Sequence, residues 1–138
     1  MHKIPTNTKL YYLLTGSDGQ VHEKEEEIGN KMLWHEAINQ DNFVQDLQLL
    51  AALDDEAILN ECIQELKTYS KNDQINSLAW MCLIANADGF MDKQEWALIY
   101  QLYHKHLGLD LSEVMQRQKE LFQYILKYKD DQQASFIK

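Results

Sequence analysis

The chain is poor in the residues that build tight turns. It has one proline, Pro5, and five glycines in 138 residues, and no segment alternates strictly between apolar and polar residues. Strand-rich folds need many turns, so this scarcity argues against them and favours long helices. No apolar run approaches the ~18 residues of a membrane span, and the N-terminus lacks the apolar core of a signal peptide. We therefore expect a cytoplasmic, all-α protein with no integral membrane segment.

Cysteine is equally scarce. Cys62 and Cys82 are the only two, both lie in apolar helical patterns, and neither belongs to a C-x-x-C pair. This arrangement predicts two buried free thiols in a reducing compartment. It also argues against a thiol nucleophile, which needs an accessible, polar surrounding.

Lysine and arginine are missing from residues 32–66, and the whole chain carries a net charge of −9. Such an acidic surface repels nucleic acids and anionic membranes, so cations or basic protein patches are the compatible partners. The alternative is a solvated acidic face that keeps the protein soluble. The eight acids of this stretch are Glu36, Asp41, Asp46, Asp54, Asp55, Glu56, Glu61 and Glu65.

Apolar stripes at helical spacing, separated by short polar breaks, make up the rest of the pattern. They indicate about seven helices in one compact single-domain bundle that spans residues 1–138. Residues 75–85 are apolar on most faces, which is typical of a buried central helix. The tryptophans Trp34, Trp80 and Trp96 lie in helical stripes and are expected in the core. The tail after about residue 129 is polar and is expected to fray.

One helix–turn–helix pattern occurs twice, in residues 9–25 and 79–95. Each copy has an apolar run followed by Asp-Gly-x-apolar-x-x-x-Glu. In an EF-hand loop the first calcium ligand is an acid, but here that position holds Leu14 or Ile84, so neither loop closes a calcium cage alone. At an offset of 70 positions Asp18 matches Asp88, and Glu25 matches Glu95.

The acids of this repeat also have a purely structural explanation. Asp92-x-x-Glu95 has the spacing of a capping box, and Asp88-Gly89 is an ordinary turn dipeptide. A helix–turn–helix unit that occurs twice, with its usual cap and turn residues, would therefore explain the motif without any bound ligand.

Two such units in a small acidic helical chain resemble the tellurite-resistance TerB-like family, over roughly residues 6–128. The resemblance implies an all-helical fold with an internal pseudo-twofold repeat, a bacterial cytoplasmic protein, a link to stress-response complexes and a divalent-cation site. Oxygen ligands of this kind favour calcium, magnesium or manganese. The metal-site positions carried over are Asp18, Glu25, Asp88 and Glu95, with Glu26 as a second candidate in the first copy.

The patterns of familiar enzymes are missing from the sequence. It contains no Glu-x-x-His pair, no G-x-S-x-G and no phosphate-binding glycine loop. We therefore expect a non-enzymatic module that binds a divalent cation through the paired acids in a stress-response context. The alternative is an acidic helical protein-interaction module without metal, in which the motifs are helix caps. A protein partner is expected in either case, and the sequence is also compatible with a homodimer.

Overall fold

Helices are the only regular secondary structure in the residues that the structure describes. A computed structural model describes residues 3–16, 23–87, 89 and 91–137, with only the backbone described for 128–137. Within these ranges there is no strand, which confirms the predicted all-α bundle, and a π-helical segment, Gln101–His106, continues the sixth helix. The seven α-helices are α1 (Thr6–Thr15), α2 (Glu23–His35), α3 (Gln40–Leu50), α4 (Asp55–Thr68), α5 (Lys71–Ala85), α6 (Lys93–Tyr100) and α7 (Leu111–Ile137).

Short polar side chains begin several of these helices. The side chain of Asn39 accepts a hydrogen bond from the Asn42 backbone N–H (3.0 Å), and Asp54 accepts one from Ala57 (3.1 Å). Each bond satisfies an N–H group that has no partner inside the helix. The sequence breaks before α3 and α4 therefore act as helix starts, as their composition predicts.

The central helix of the bundle is α5. Every residue from Ser77 to Ala85 is buried, and Leu78, Ala79 and Trp80 are at most 1% exposed. The helix packs against α1, α2, α6 and α7. A helix that is apolar on all sides can only be accommodated if other helices surround it, so the prediction of a central helix at residues 75–85 is confirmed.

Two of the three tryptophans lie outside the core. Trp80 is 1% exposed, but Trp34 is 62% exposed and Trp96 is 40% exposed, so the core prediction is wrong for those two. Trp96 packs in a tilted geometry against its helical neighbours Tyr100 and Tyr103, with ring centroids 6.3 and 6.1 Å away. Helical spacing places a residue on a stripe, but packing of the neighbouring helices decides how far that stripe is covered.

The π-helical segment ends at a glycine. The Leu107 N–H donates to the Leu102 carbonyl, and the Leu109 N–H donates to the Tyr103 carbonyl at 2.7 Å. Gly108 has a φ of +60°, which glycine adopts without the steric cost that a side chain would bring. Gly108 thus lies just beyond the end of the helix, where glycine is common.

The last helix is longer than its apolar pattern. Its backbone remains helical beyond Lys129, through Ile137, where the sequence predicts a frayed tail. Extending an existing helix costs less than starting one, so polar residues such as Lys and Gln can continue it. Although α7 is the longest helix, neither it nor any other helix in the described ranges combines the length and apolar character that crossing a membrane requires.

A buried lysine joins α1 to α4. The Lys9 side chain is 2% exposed, and its Nζ donates to Glu61 Oε1 at 2.6 Å and to both oxygens of Glu65 at 2.8 and 2.9 Å. Thr6 Oγ1 donates to Glu65 at 2.7 Å, and the Tyr69 hydroxyl donates to Thr6 at 2.9 Å. The ammonium group is therefore compensated by two carboxylates, as burial of a charge requires.

The pKa values of Glu65 and Lys9 are shifted in opposite directions. Burial alone would raise the pKa of Glu65, but hydrogen bonds from Lys9 and Thr6 outweigh it and lower the pKa below 4.5. Burial alone would lower the pKa of Lys9, but the hydrogen bonds and charges of Glu61 and Glu65 raise it above 10.5. Glu65 therefore stabilises the fold above its unfolded pKa, and Lys9 stabilises it below its own.

We expect Lys9→Met to lower the free energy of unfolding by about 3 kcal/mol near neutral pH, because it leaves Glu65 without its buried partner. The difference from wild type should be constant between the two unfolded pKa values, 4.5 and 10.5. It should shrink as the pH falls through the lowered pKa of Glu65, and also as it rises through the raised pKa of Lys9. Urea unfolding followed by circular dichroism across pH measures this, and an unchanged difference in acid would contradict it.

Candidate functional site

The turn of the second repeat needs its glycine. Asn86 follows the end of α5, and the Gly89 N–H donates to the Asn86 carbonyl at 2.8 Å. Gly89 has a φ of +86°, in the region that side chains rarely adopt. Gly89 therefore lies in a turn between α5 and α6, as the turn interpretation predicts.

Glu95 and Asp92 form a capping box at the start of α6. The Glu95 N–H donates to Asp92 Oδ1 at 2.8 Å, and the Asp92 N–H donates to Glu95 Oε1 at 3.1 Å. The Glu95 side chain is buried, with 8% exposure. The capping interpretation is thus confirmed for the second copy, and it engages one oxygen of a buried carboxylate.

Glu25 takes the corresponding place in the first copy. It lies in the first turn of α2 and is 4% exposed. Its charge acts on Tyr11 of α1. Burial is the main cause that raises the pKa of Tyr11 to about 12, and the charges of Glu26 and Glu25 add to it. Glu26 itself is exposed. Both repeat glutamates are therefore buried carboxylates in the first turn of a helix, where the dipole favours negative charge.

The two aspartates of the predicted metal site, Asp18 and Asp88, lie outside the described residues. Among the residues that are described, no group of three or more His, Cys, Asp or Glu side chains is arranged to hold a metal ion. The structure therefore describes Glu25 and Glu95 alone of the four predicted ligands. A shared cation site at the two turns stays a prediction.

Half of the acids in residues 32–66 are paired with other side chains or buried. Glu61 and Glu65 form ion pairs with Lys9, and Asp46 is 2% exposed on α3. Glu36 is the centre of a polar network that reaches α5 and α7. The acidic stretch is therefore not a uniformly solvated face.

Glu36 connects the end of α2 to α5 and α7. Its carboxylate pairs with His35 Nδ1 and accepts hydrogen bonds from Asn76 Nδ2 at 3.0 Å and from Trp80 Nε1 at 3.3 Å. Asn76 in turn accepts from Arg117 Nε at 2.9 Å. A groove of about 740 Å³ between α5 and α7 adjoins this network, and its lining includes Asn76 and Arg117. The sequence did not reveal this network, because its members are far apart along the chain.

The remaining acids lie at the surface of α3 and the start of α4. They are interspersed with apolar side chains that are about half exposed, and residues 41–56 contain no lysine or arginine. We call this the acidic α3–α4 surface. Its members are Asp41, Val44, Leu49, Leu53, Asp54, Asp55 and Glu56, all exposed.

Both thiols are free and buried, as the sequence predicts. Burial raises the pKa of Cys62 to about 12 and that of Cys82 to about 11. Thiols with such pKa values remain protonated at neutral pH, and the protonated form is a poor nucleophile. Cys62 and Cys82 are core side chains in this fold.

Comparison of the chain with models of known protein families, with curated proteins and with solved structures gave no match. The resemblance to the TerB-like family therefore depends on the repeated Asp-Gly and Glu positions and on the spacing between them. Membership of that family stays a prediction.

We expect Asp92→Ala to lower the free energy of unfolding by about 1 kcal/mol, because the capping hydrogen bond at the start of α6 is lost. If capping is the whole role of Asp92, this loss is the same with and without divalent ions. Urea unfolding in chelator and in calcium compares the two conditions, with Asp54→Ala at the start of α4 as a capping control remote from the repeat.

Proposed function

We propose that this protein is a cytoplasmic, non-enzymatic, TerB-like helical module that binds another protein through the acidic α3–α4 surface. The observation that carries the proposal is the composition of that surface, in which exposed leucines and a valine lie beside exposed acids. Val44, Leu49 and Leu53 are 49%, 59% and 53% exposed. Covering these apolar side chains with a partner would remove them from water, which is energetically favourable.

The charge of the surface indicates the chemistry of the partner. Internal ion pairing already engages Glu61 and Glu65, whereas Asp55 and Glu56 project their charges into solvent at the start of α4. A basic protein surface with apolar residues is complementary to it, and such complementarity favours association and excludes acidic competitors. A second copy of this chain, with its net charge of −9, meets like charge there.

The proposal is tested by reversing charge where it does not disturb the fold. Asp54 caps α4, so the useful double variant is Asp55→Lys with Glu56→Lys, which leaves that cap in place. We expect capture of the native partner, measured by affinity purification and quantitative mass spectrometry, to fall by at least about tenfold.

The matched control reverses two acids on another exposed face, Glu113→Lys with Glu120→Lys on α7. It makes the same change in net charge and should leave capture within about twofold of wild type, because rim charges far from an interface contribute little. Equal loss in both double variants would show that net charge alone governs capture and would contradict the proposal.

A second candidate function is binding of a divalent cation by the repeat acids. It is favoured by Glu25 and Glu95, which lie at equivalent positions of the two copies and are 4% and 8% exposed. Taking carboxylates out of water is costly, and a cation bound nearby would offset that cost. In this hypothesis Asp18 and Asp88 complete the site, and calcium, magnesium or manganese is the ion.

The cation hypothesis predicts a higher melting temperature when ion is added to chelator-treated protein. An ion at 100 times its dissociation constant would add about 2.7 kcal/mol to the free energy of unfolding. Asp18→Asn and Asp88→Asn should each abolish the shift, whereas Asp41→Asn should preserve it. No shift with any of the three ions would reject a cation site.

A further inference from the structure

A small crevice opens where α1, α4 and α6 come together. Its volume is about 250 Å³. That is below the ~300–1,000 Å³ of pockets that hold drug-sized ligands or cofactors, so its size suits a single long side chain. The residues that line it are Leu13 and Leu14 of α1, Asp55, Glu56 and Leu59 of α4, and Gln94, Glu95 and Leu98 of α6.

The crevice combines an apolar lining with acidic groups. Leu14 is buried, and Leu13, Leu59 and Leu98 are half-buried, so methyl groups form most of its wall. Three carboxylates border it, and no lysine, arginine or histidine is among the lining residues that the structure describes. Asp55 and Glu56, which are exposed, therefore give the edge of the crevice a negative charge.

The three carboxylates are held in place by the local structure. Glu95 is fixed at the start of α6 by the capping box, and Asp55 and Glu56 follow the Asp54 cap in the first turn of α4. The helix dipole stabilises negative charge at both helix starts. Two helices thus present acids to one apolar depression that also meets the end of α1.

Lysine and arginine are the side chains that match these two properties together. Their alkyl stems pack on apolar surface, while the charged head stays at the polar edge. A wholly apolar side chain gains nothing from the carboxylates, and a bare metal ion gains nothing from the leucines, which offer no oxygen ligand.

We propose that this crevice binds one lysine or arginine side chain from a basic segment of the partner protein. This inference rests on the protein-binding function proposed above. Asp55 and Glu56 belong to both the crevice and the acidic α3–α4 surface, so a partner that covers the surface reaches the crevice directly. The crevice then serves as the anchor for one basic residue, and the exposed leucines and acids contact its neighbours.

The test uses three short peptides that are identical except for one central residue, with the protein in chelator. The central residue is lysine, norleucine (the alkyl stem without the charge) or 2,3-diaminopropionic acid (the charge without the stem). Methyl NMR of ¹³C-labelled protein follows Leu13, Leu59 and Leu98 during titration. We expect saturable shifts at these methyls with the lysine peptide and at least about tenfold weaker binding of the other two.

The matched variants are Asp55→Asn and Asp73→Asn. Both remove one exposed aspartate from the first turn of a helix, but Asp73 lies on α5, outside the acidic α3–α4 surface, and Asp55 alone lines the crevice. Asp55→Asn should weaken binding of the lysine peptide by about fivefold, and Asp73→Asn should leave it unchanged. Glu56→Gln is the second crevice variant, should Asp55→Asn disturb α4.

Three results would overturn the crevice as a lysine or arginine site. One is equal binding of the lysine and diaminopropionic acid peptides, which would indicate charge attraction alone. Another is equal weakening by Asp55→Asn and Asp73→Asn. The third is that the lysine peptide shifts the methyl signals of Val44 and Leu49, or signals from the groove between α5 and α7, but not those of the crevice leucines. In each case the charge-reversal capture experiment still decides separately whether the acidic α3–α4 surface binds a partner.

Discussion

The burial of α5 on every side is the constraint that the rest of this structure depends on. A helix whose residues 77–85 are all buried cannot lie at a surface, so α1, α2, α6 and α7 are arranged around it. Once α1 is packed there, its other faces become the support for α3 and α4. The acidic half of the chain is thereby placed on the outside of the bundle, where its unpaired acids can meet another molecule.

Charge pairing then divides the acids into two groups. The buried Lys9 on α1 forms ion pairs with Glu61 and Glu65 of α4, and Glu36 accepts hydrogen bonds from α5. Removing either set would leave buried polar groups without partners, so these acids stabilise the fold. Of the other acids in residues 32–66, Asp46 is buried and the rest are exposed on α3 and at the start of α4, which is why the proposed interaction surface is confined to that region. The crevice beside Glu95 extends the surface to the second repeat.

The helices that flank the two copies of the repeat end and begin at equivalent positions. α1 ends at Thr15 and α5 at Ala85, and α2 begins at Glu23 and α6 at Lys93, each pair 70 positions apart. Their glutamates share burial and position in the first helical turn. A spatial twofold between the copies stays a prediction, as does any ion between Asp18 and Asp88. The capping box at Asp92 accounts for part of the motif on structural grounds alone.

What the sequence by itself determined is local: the all-α class, the caps at Asn39, Asp54 and Asp92, the turn at Gly89 and the buried helix at residues 75–85. These follow from periodicity and from backbone preferences that act within a few residues. Tertiary structure alone decided that Trp34 and Trp96 are exposed, that Lys9 is buried between two glutamates, and that Leu13, Leu59 and Leu98 meet three carboxylates in one crevice. The physical reason is that helical spacing determines which face a residue occupies, whereas the packing of distant helices determines what covers that face.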